Sequence, residues 1–115
     1  MIVDHRTYRI KAGMTQAHLD IYEQYGFATQ SRHLGKPLAD RFAETGDVNT
    51  IVHMWGYEDL KQRSELRAKM QADPAWQAYV KKIQPPIQRQ ESRILNPTPF
   101  FAAKLETMLK AAKSA

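Results

Sequence analysis

The sequence has no cysteine, which removes disulfides, thiolate metal sites and cysteine nucleophiles from consideration. It has no long apolar run either. Charges interrupt every hydrophobic stretch well short of the roughly 20 residues that a membrane-spanning helix needs. The opening Met-Ile-Val-Asp-His-Arg lacks a basic region followed by an apolar core and a small-residue cleavage site. No signal peptide is expected, and the cytoplasm is the expected location. Glycine is sparse, five in 115 residues, and none of it forms a phosphate loop or nucleotide fingerprint. A zinc-protease helix and a serine-hydrolase elbow are absent as well. The net charge is +5, but Lys81-Lys82 is the only adjacent basic pair. Charge spread this thinly suits solubility, and no nucleic-acid partner is expected.

What is present is a chain of ordinary globular composition, 43% hydrophobic and 25% charged, of a length that gives one domain. So short a chain has little surface to spare, and pairing with a second copy would cover a large sheet. The most informative stretch is Val48 to Tyr57, which reads as a strand by its period-two alternation and its β-branched and aromatic residues. Val48, Thr50, Val52 and Met54 form one face, closed by Gly56. Asn49, Ile51, His53, Trp55 and Tyr57 form the other. That second row carries four polar side chains, which must be satisfied if they are covered.

Taken in order, Ile2 to Ile10 is the first strand, with Arg6 and Tyr8 sharing one parity. Thr15 is the expected cap of a helix running to about Tyr25, with Phe27 to His33 continuing at an angle past Gly26. Leu38 to Thr45 reads as a second strand, joined through Thr45-Gly46-Asp47 as a hairpin to the central one. Glu58 to Gln71 is the clearest helix, with Arg63 and Arg67 on one face. Asp73-Pro74 caps another helix, stopped by Pro85-Pro86. Gln88 to Leu95 is the last strand, and Phe100 to Lys113 an amphipathic tail helix. The order predicts an α+β fold: a ferredoxin-like four-stranded antiparallel sheet with helices on one face, over residues 1–99. Residues 100–115 are expected to pack on the domain or on a dimer partner. The helix-free face, stacked on that of a second copy, would close a dimeric α/β barrel with a cavity in each subunit.

The run Gly46-Asp-Val-Asn-Thr-Ile-Val-His-Met-Trp-Gly-Tyr57, with Leu60, Arg63, Arg67, Asp73-Pro-Ala-Trp76 and Glu91-Ser-Arg-Ile-Leu95, resembles the NIPSNAP family from about Tyr8 to Phe101. The resemblance implies a homodimer of paired ferredoxin-like sheets. It also implies kinship with cofactor-independent monooxygenases, muconolactone isomerases, EthD-like proteins and haem-handling enzymes. The family-like positions are Asn49, His53, Trp55, Tyr57, Arg63 and Arg67; they mark shared architecture without establishing catalytic duties.

His53, on the central strand, is the candidate acid–base group. Tyr8 and Tyr57 are candidate donors to a carbonyl or phenolate, and Trp55 a flat wall with one donor. Asn49 is a candidate ligand contact, or a turn residue beside Gly46-Asp47. Arg6 reaches toward the same polar space. Arg63 and Arg67 suit an organic carboxylate or phosphate, or salt bridges to Asp40, Glu44 or Glu91. The four histidines have no metal spacing, so neither a metal nor a cofactor is expected. Two functions stay open on these residues. One is a homodimer that binds or processes a small organic molecule, by cofactor-independent oxygenation or isomerisation if it is an enzyme. The other is a noncatalytic dimeric scaffold or interaction module.

Overall fold

Four antiparallel strands form one sheet in the order β2-β3-β1-β4 in a computed structural model of the chain, which describes residues 1–114. They are β1 (Ile2–Ile10), β2 (Ala39–Phe42), β3 (Thr50–Tyr57) and β4 (Ile87–Leu95). Helix α1 (Thr15–Ile21) runs through a π-helical turn (Tyr22–Gly26) into α2 (Phe27–Leu34). Helices α3 (Leu60–Gln71) and α4 (Pro74–Ile83) make the second crossover, and α5 (Ala102–Lys113) follows a 3₁₀ turn at Pro99–Phe101. This is the ferredoxin-like α+β arrangement predicted from the order of elements.

Cross-strand register sorts the side chains. Asp4 pairs with Trp55, Arg6 with His53 and Ser92, and Tyr8 with Ile51 and Gln90. These residues share one face, because partners across a ladder point the same way. Helices cover that face: Trp55 and Tyr57 are fully buried in a cluster with Leu34 of α2 and Met70 of α3. The sequence reading placed the polar row of β3 in a cavity between two open sheets. That placement is corrected here, since His53, Trp55 and Tyr57 lie beneath their own helices. The open face carries Thr50, Val52 and Met54 among His5, Thr7, Arg9, Arg41, Glu91 and Arg93, while its Val3–Gly56 end is packed against α5.

Local chemistry explains the helix ends. The Asp59 carboxylate accepts from the Gln62 amide at 2.8 Å, while the Gln62 side chain accepts from the Glu58 amide at 2.8 Å, a reciprocal cap for α3. Asp73 caps α4 through the Ala75 amide at 2.8 Å, with Pro74 at the first position. Its other oxygen accepts from Arg32 at 2.6 Å and lies 2.8 Å from His33 Nε2, tying α2 to α4. Thr15 is not the cap expected of it. Met14 stands at the N-cap without a side-chain bond, and the Thr15 hydroxyl donates to Asn49 Oδ1 at 3.0 Å.

Gly26 is required by contact: a Cβ there would sit 2.7 Å from the Tyr79 ring. The hairpin is also looser than predicted. Strand β2 ends at Phe42, and residues 43–49 form the connection, with Gly46 at φ +80°. Helix α5 folds back on its own domain at the far end of β3. Leu105 and Leu109 are buried, and a Cβ on Gly56 would come within 3.0 Å of Leu109. Lys113 donates to the Leu34 carbonyl and lies 5.0 Å from the centre of the Tyr57 ring. Ala115, the last residue of the predicted tail, lies outside the described residues. Among the described residues, no helix is long and apolar enough to cross a membrane.

Candidate functional site

The helix-covered face does not pack solid along its whole length. Between the middle of the sheet and helices α1, α3 and α4 lies a cavity of about 180 Å³. The sheet contributes Arg6, Tyr8, His53 and Gln90. His18 and Tyr22 reach in from α1 and its π-helical turn, Arg67 and Gln71 from α3, and Trp76, Tyr79, Val80 and Ile83 from α4. A π-helical turn inserts one residue into the helical repeat, and here it sets Tyr22 and Gly26 inward. Tyr79 then closes over Gly26.

His53 is held by rings. Its imidazole lies 5.0 Å from the Tyr22 ring, nearly parallel at 28°, and 5.2 Å from the Tyr8 ring at a steep angle. Neither ring nitrogen makes a hydrogen bond. Asp40 Oδ1 is 3.1 Å from Nε2, within ion-pair range but outside hydrogen-bond alignment. Tyr22 donates to Gln30 Oε1 at 2.6 Å. Burial pushes the phenols of Tyr22 and Tyr79 well above the ordinary tyrosine value, so both stay protonated. Burial also lowers the pKa of His18, helped by the neighbouring His53, and His18 Nδ1 has no hydrogen-bond partner.

Behind the cavity, Asp4 is a buried hub. Its Oδ1 accepts from Ser92 at 2.6 Å; its Oδ2 accepts from Arg63 Nε at 3.0 Å and Arg6 Nη1 at 3.3 Å. Burial alone would raise its pKa, but the bonds from Ser92 and Arg63 and the charges of Arg6 and Arg63 hold it below the usual carboxylate value. Arg6 also donates through Nε to the Tyr8 hydroxyl at 2.9 Å. Tyr8 accepts there, which leaves its own proton free to donate elsewhere.

Of the residues singled out by sequence, the cavity gathers Arg6, Tyr8, His53 and Arg67. It does not gather the other four. Trp55 and Tyr57 are core residues at the closed end of the same face. Burial raises the pKa of Tyr57. Arg63 is spent on Asp4. Asn49 sits in the loop before β3, where its carbonyl accepts from the Ile10 amide at 2.8 Å and its side chain from Thr15. Sequence reasoning missed His18, Tyr22, Gln30, Trp76 and Tyr79 as cavity residues. The spacing of His18 and Tyr22, four apart on one helix, was the signal available. His18 and His53 both line the space, but no group of three or more metal-ligating side chains gathers among the described residues.

The fold and site define a ferredoxin-like α+β protein with an internal aromatic and polar cavity. A family model described as NIPSNAP matches residues 3–102, and the chain belongs to the NIPSNAP family. It is 31% identical over 93 residues to a NipSnap homolog of Dictyostelium discoideum, covering 80% of this chain and 40% of that protein. Over 56 residues it is 38% identical to NipSnap homolog 1 of Danio rerio, covering 49% of this chain and 20% of that protein. The chain thus spans less than half the length of these curated relatives. Among solved structures it is similar to Atu4242 of Agrobacterium tumefaciens, a NIPSNAP family protein of unknown function. The TM-score is 0.84 at 39% identity, over 87% of this chain and 90% of that one. An uncharacterised NIPSNAP domain protein of Burkholderia xenovorans gives 0.83 at 35%, over 87% and 97%. An antibiotic biosynthesis monooxygenase shares the fold at a TM-score of 0.63 and 15% identity, over 86% of this chain and all of that one.

Proposed function

We propose that this chain is a homodimeric protein that binds and processes a small organic molecule in the cavity between its sheet and helices. The observation that carries the reading is His53: buried, clasped by Tyr8 and Tyr22, open at both ring nitrogens and backed by Asp40. Buried polar groups are costly to leave unpaired, and a ligand atom would satisfy one.

The chemistry that suits this arrangement is proton abstraction next to a carbonyl. His53 takes a proton from carbon, the electron pair moves onto the carbonyl oxygen, and the Tyr8 hydroxyl donates to the resulting enolate. Returning the proton to a different carbon completes an isomerisation. With dioxygen as co-reactant, the same carbanion opens a cofactor-independent oxygenation, a chemistry compatible with the distant monooxygenase fold. The partner copy would sit on the open face, over Val52 and Met54.

The test is a thermal-shift survey of small cyclic ketones, phenols and carboxylic acids on the wild type and on His53→Ala. Compounds that raise the melting temperature of the wild type, with the gain lost in the variant, are expected. Equal gains in both proteins, or none in either, would overturn the reading. A noncatalytic interaction role is favoured by a different region: Phe100 is 90% exposed, and its neighbour Phe101 lines an apolar groove between α5 and the sheet with Met54 and Leu95.

A further inference from the structure

Helix α3 sends two arginines toward the same face one turn apart, and their surroundings differ. Arg63 is paired with Asp4. Arg67 lines the cavity and forms no ion pair among the described residues; the neutral Tyr57 hydroxyl, not a carboxylate, stands beside it. No bond joins Arg67 to Asp4, whose oxygens accept from Ser92, Arg63 and Arg6. Asp40, the other carboxylate nearby, is drawn to His53. Around the cavity, then, three guanidiniums (Arg6, Arg63, Arg67) face two carboxylates. With the histidines neutral, one positive charge is left over. Arg67 bears it, in a half-buried place where burial and the charges of Arg6 and Arg63 all work against holding a cation.

Other features of the cavity narrow what would answer that charge. Tyr8 has a hydroxyl proton to give, because its oxygen already accepts from Arg6. The opposite wall is largely apolar, with the Trp76 and Tyr79 rings 5.0 Å apart and tilted 43° to one another, and Val80 and Ile83 beside them. Size sets the limit: a cavity of about 150 Å³ accepts one benzene ring, and this one, at about 180 Å³, takes a single ring with a small substituent. Nucleotides and fused-ring systems are too large.

We infer that the cavity's ligand is a single-ring organic carboxylate, its charge held by Arg67 and its ring against Trp76 and Tyr79. This rests on the small-molecule reading above and adds the ligand's charge and size to it. A guanidinium meets a carboxylate with two parallel N–H donors, and a monoanion cancels the surplus of one.

The experiment is calorimetric titration of the intact protein with benzoate and cyclohexanecarboxylate, each against its neutral carboxamide, repeated on Arg67→Met and Arg67→Lys. The carboxylates are expected to bind about ten- to a hundredfold more tightly than the amides, the range of a charge-assisted hydrogen bond. Arg67→Met should erase the preference and Arg67→Lys should keep part of it. Thermal unfolding of the ligand-free variants shows that the fold is intact. If the amides bind as well as the acids, or Arg67→Met leaves the ratio unchanged, the assignment of an anion is wrong while the cavity remains a binding site. If no compound of either series binds, both readings fall.

Discussion

The two faces of the sheet make opposite use of their side chains. The face under α1 to α4 carries Asp4, Arg6, Tyr8 and His53 along its middle, and Asp4 and His53 are buried there. The open face carries Val52 and Met54 among His5, Thr7, Arg9, Arg41, Glu91 and Arg93, and α5 packs on its Val3–Gly56 end. Charge alone therefore does not mark the wet side, since both faces carry it. What decides is whether each polar group finds a partner: Asp4 has three donors, and His53 is packed between rings. The Val52 and Met54 patch that α5 leaves uncovered is the surface on which the proposed second copy would sit.

The sharpest way to break this contrast is to remove the hub of the covered face. Asp4→Asn leaves Arg6 and Arg63 partly buried without their counter-charge, and a loss of about 3 kcal/mol is expected, measured by urea unfolding at pH 7. Next is Gly26→Ala. Its methyl would meet the Tyr79 ring at 2.7 Å and the Tyr22 ring at 2.9 Å, so about 2 kcal/mol should be lost to overpacking, with the cavity distorted as well. On the open face, Val52→Asp should cost the protomer no more than about 1 kcal/mol. In sedimentation velocity, however, it should convert a dimer to a monomer. A severe loss of protomer stability in that variant would erase the distinction between the faces.

Acid sharpens the comparison further. Asp4 has a lowered pKa in the fold, so the unfolded chain binds its proton first; the stability it contributes is complete above about pH 4 and is lost as pH falls through the lower folded value. His18 is also lowered, by burial first. Its contribution is complete above about pH 6.5 and declines as pH falls toward its folded value. Two declines are expected in a stability–pH profile, with Asp4→Asn flattening the lower and His18→Gln the upper. The open face should contribute neither.

Much of the fold was legible because short-range chemistry wrote it. The caps at Asp59 and Asp73-Pro74, the turn glycine at 46 and the alternation of β3 all act within a few residues. The covered side of the sheet was not legible, since both rows of β3 hold enough apolar area to be buried. The site was half legible for the same reason. Arg63 and Arg67 share one helical face, and only the arrival of Asp4, 59 residues from Arg63, separates the ion-paired arginine from the one without a carboxylate. Tyr22 and Gln30 face one another only because a π-helical turn intervenes, and ordinary periodicity does not announce it.

The most direct measurement asks on which face a ligand lands. In ¹H–¹⁵N correlation spectra of the protein titrated with benzoate, shifts should concentrate at Tyr8, His53, Arg67 and Trp76, beneath the helices. Shifts confined to Arg41, Val52 and Met54, on the open face, would contradict it.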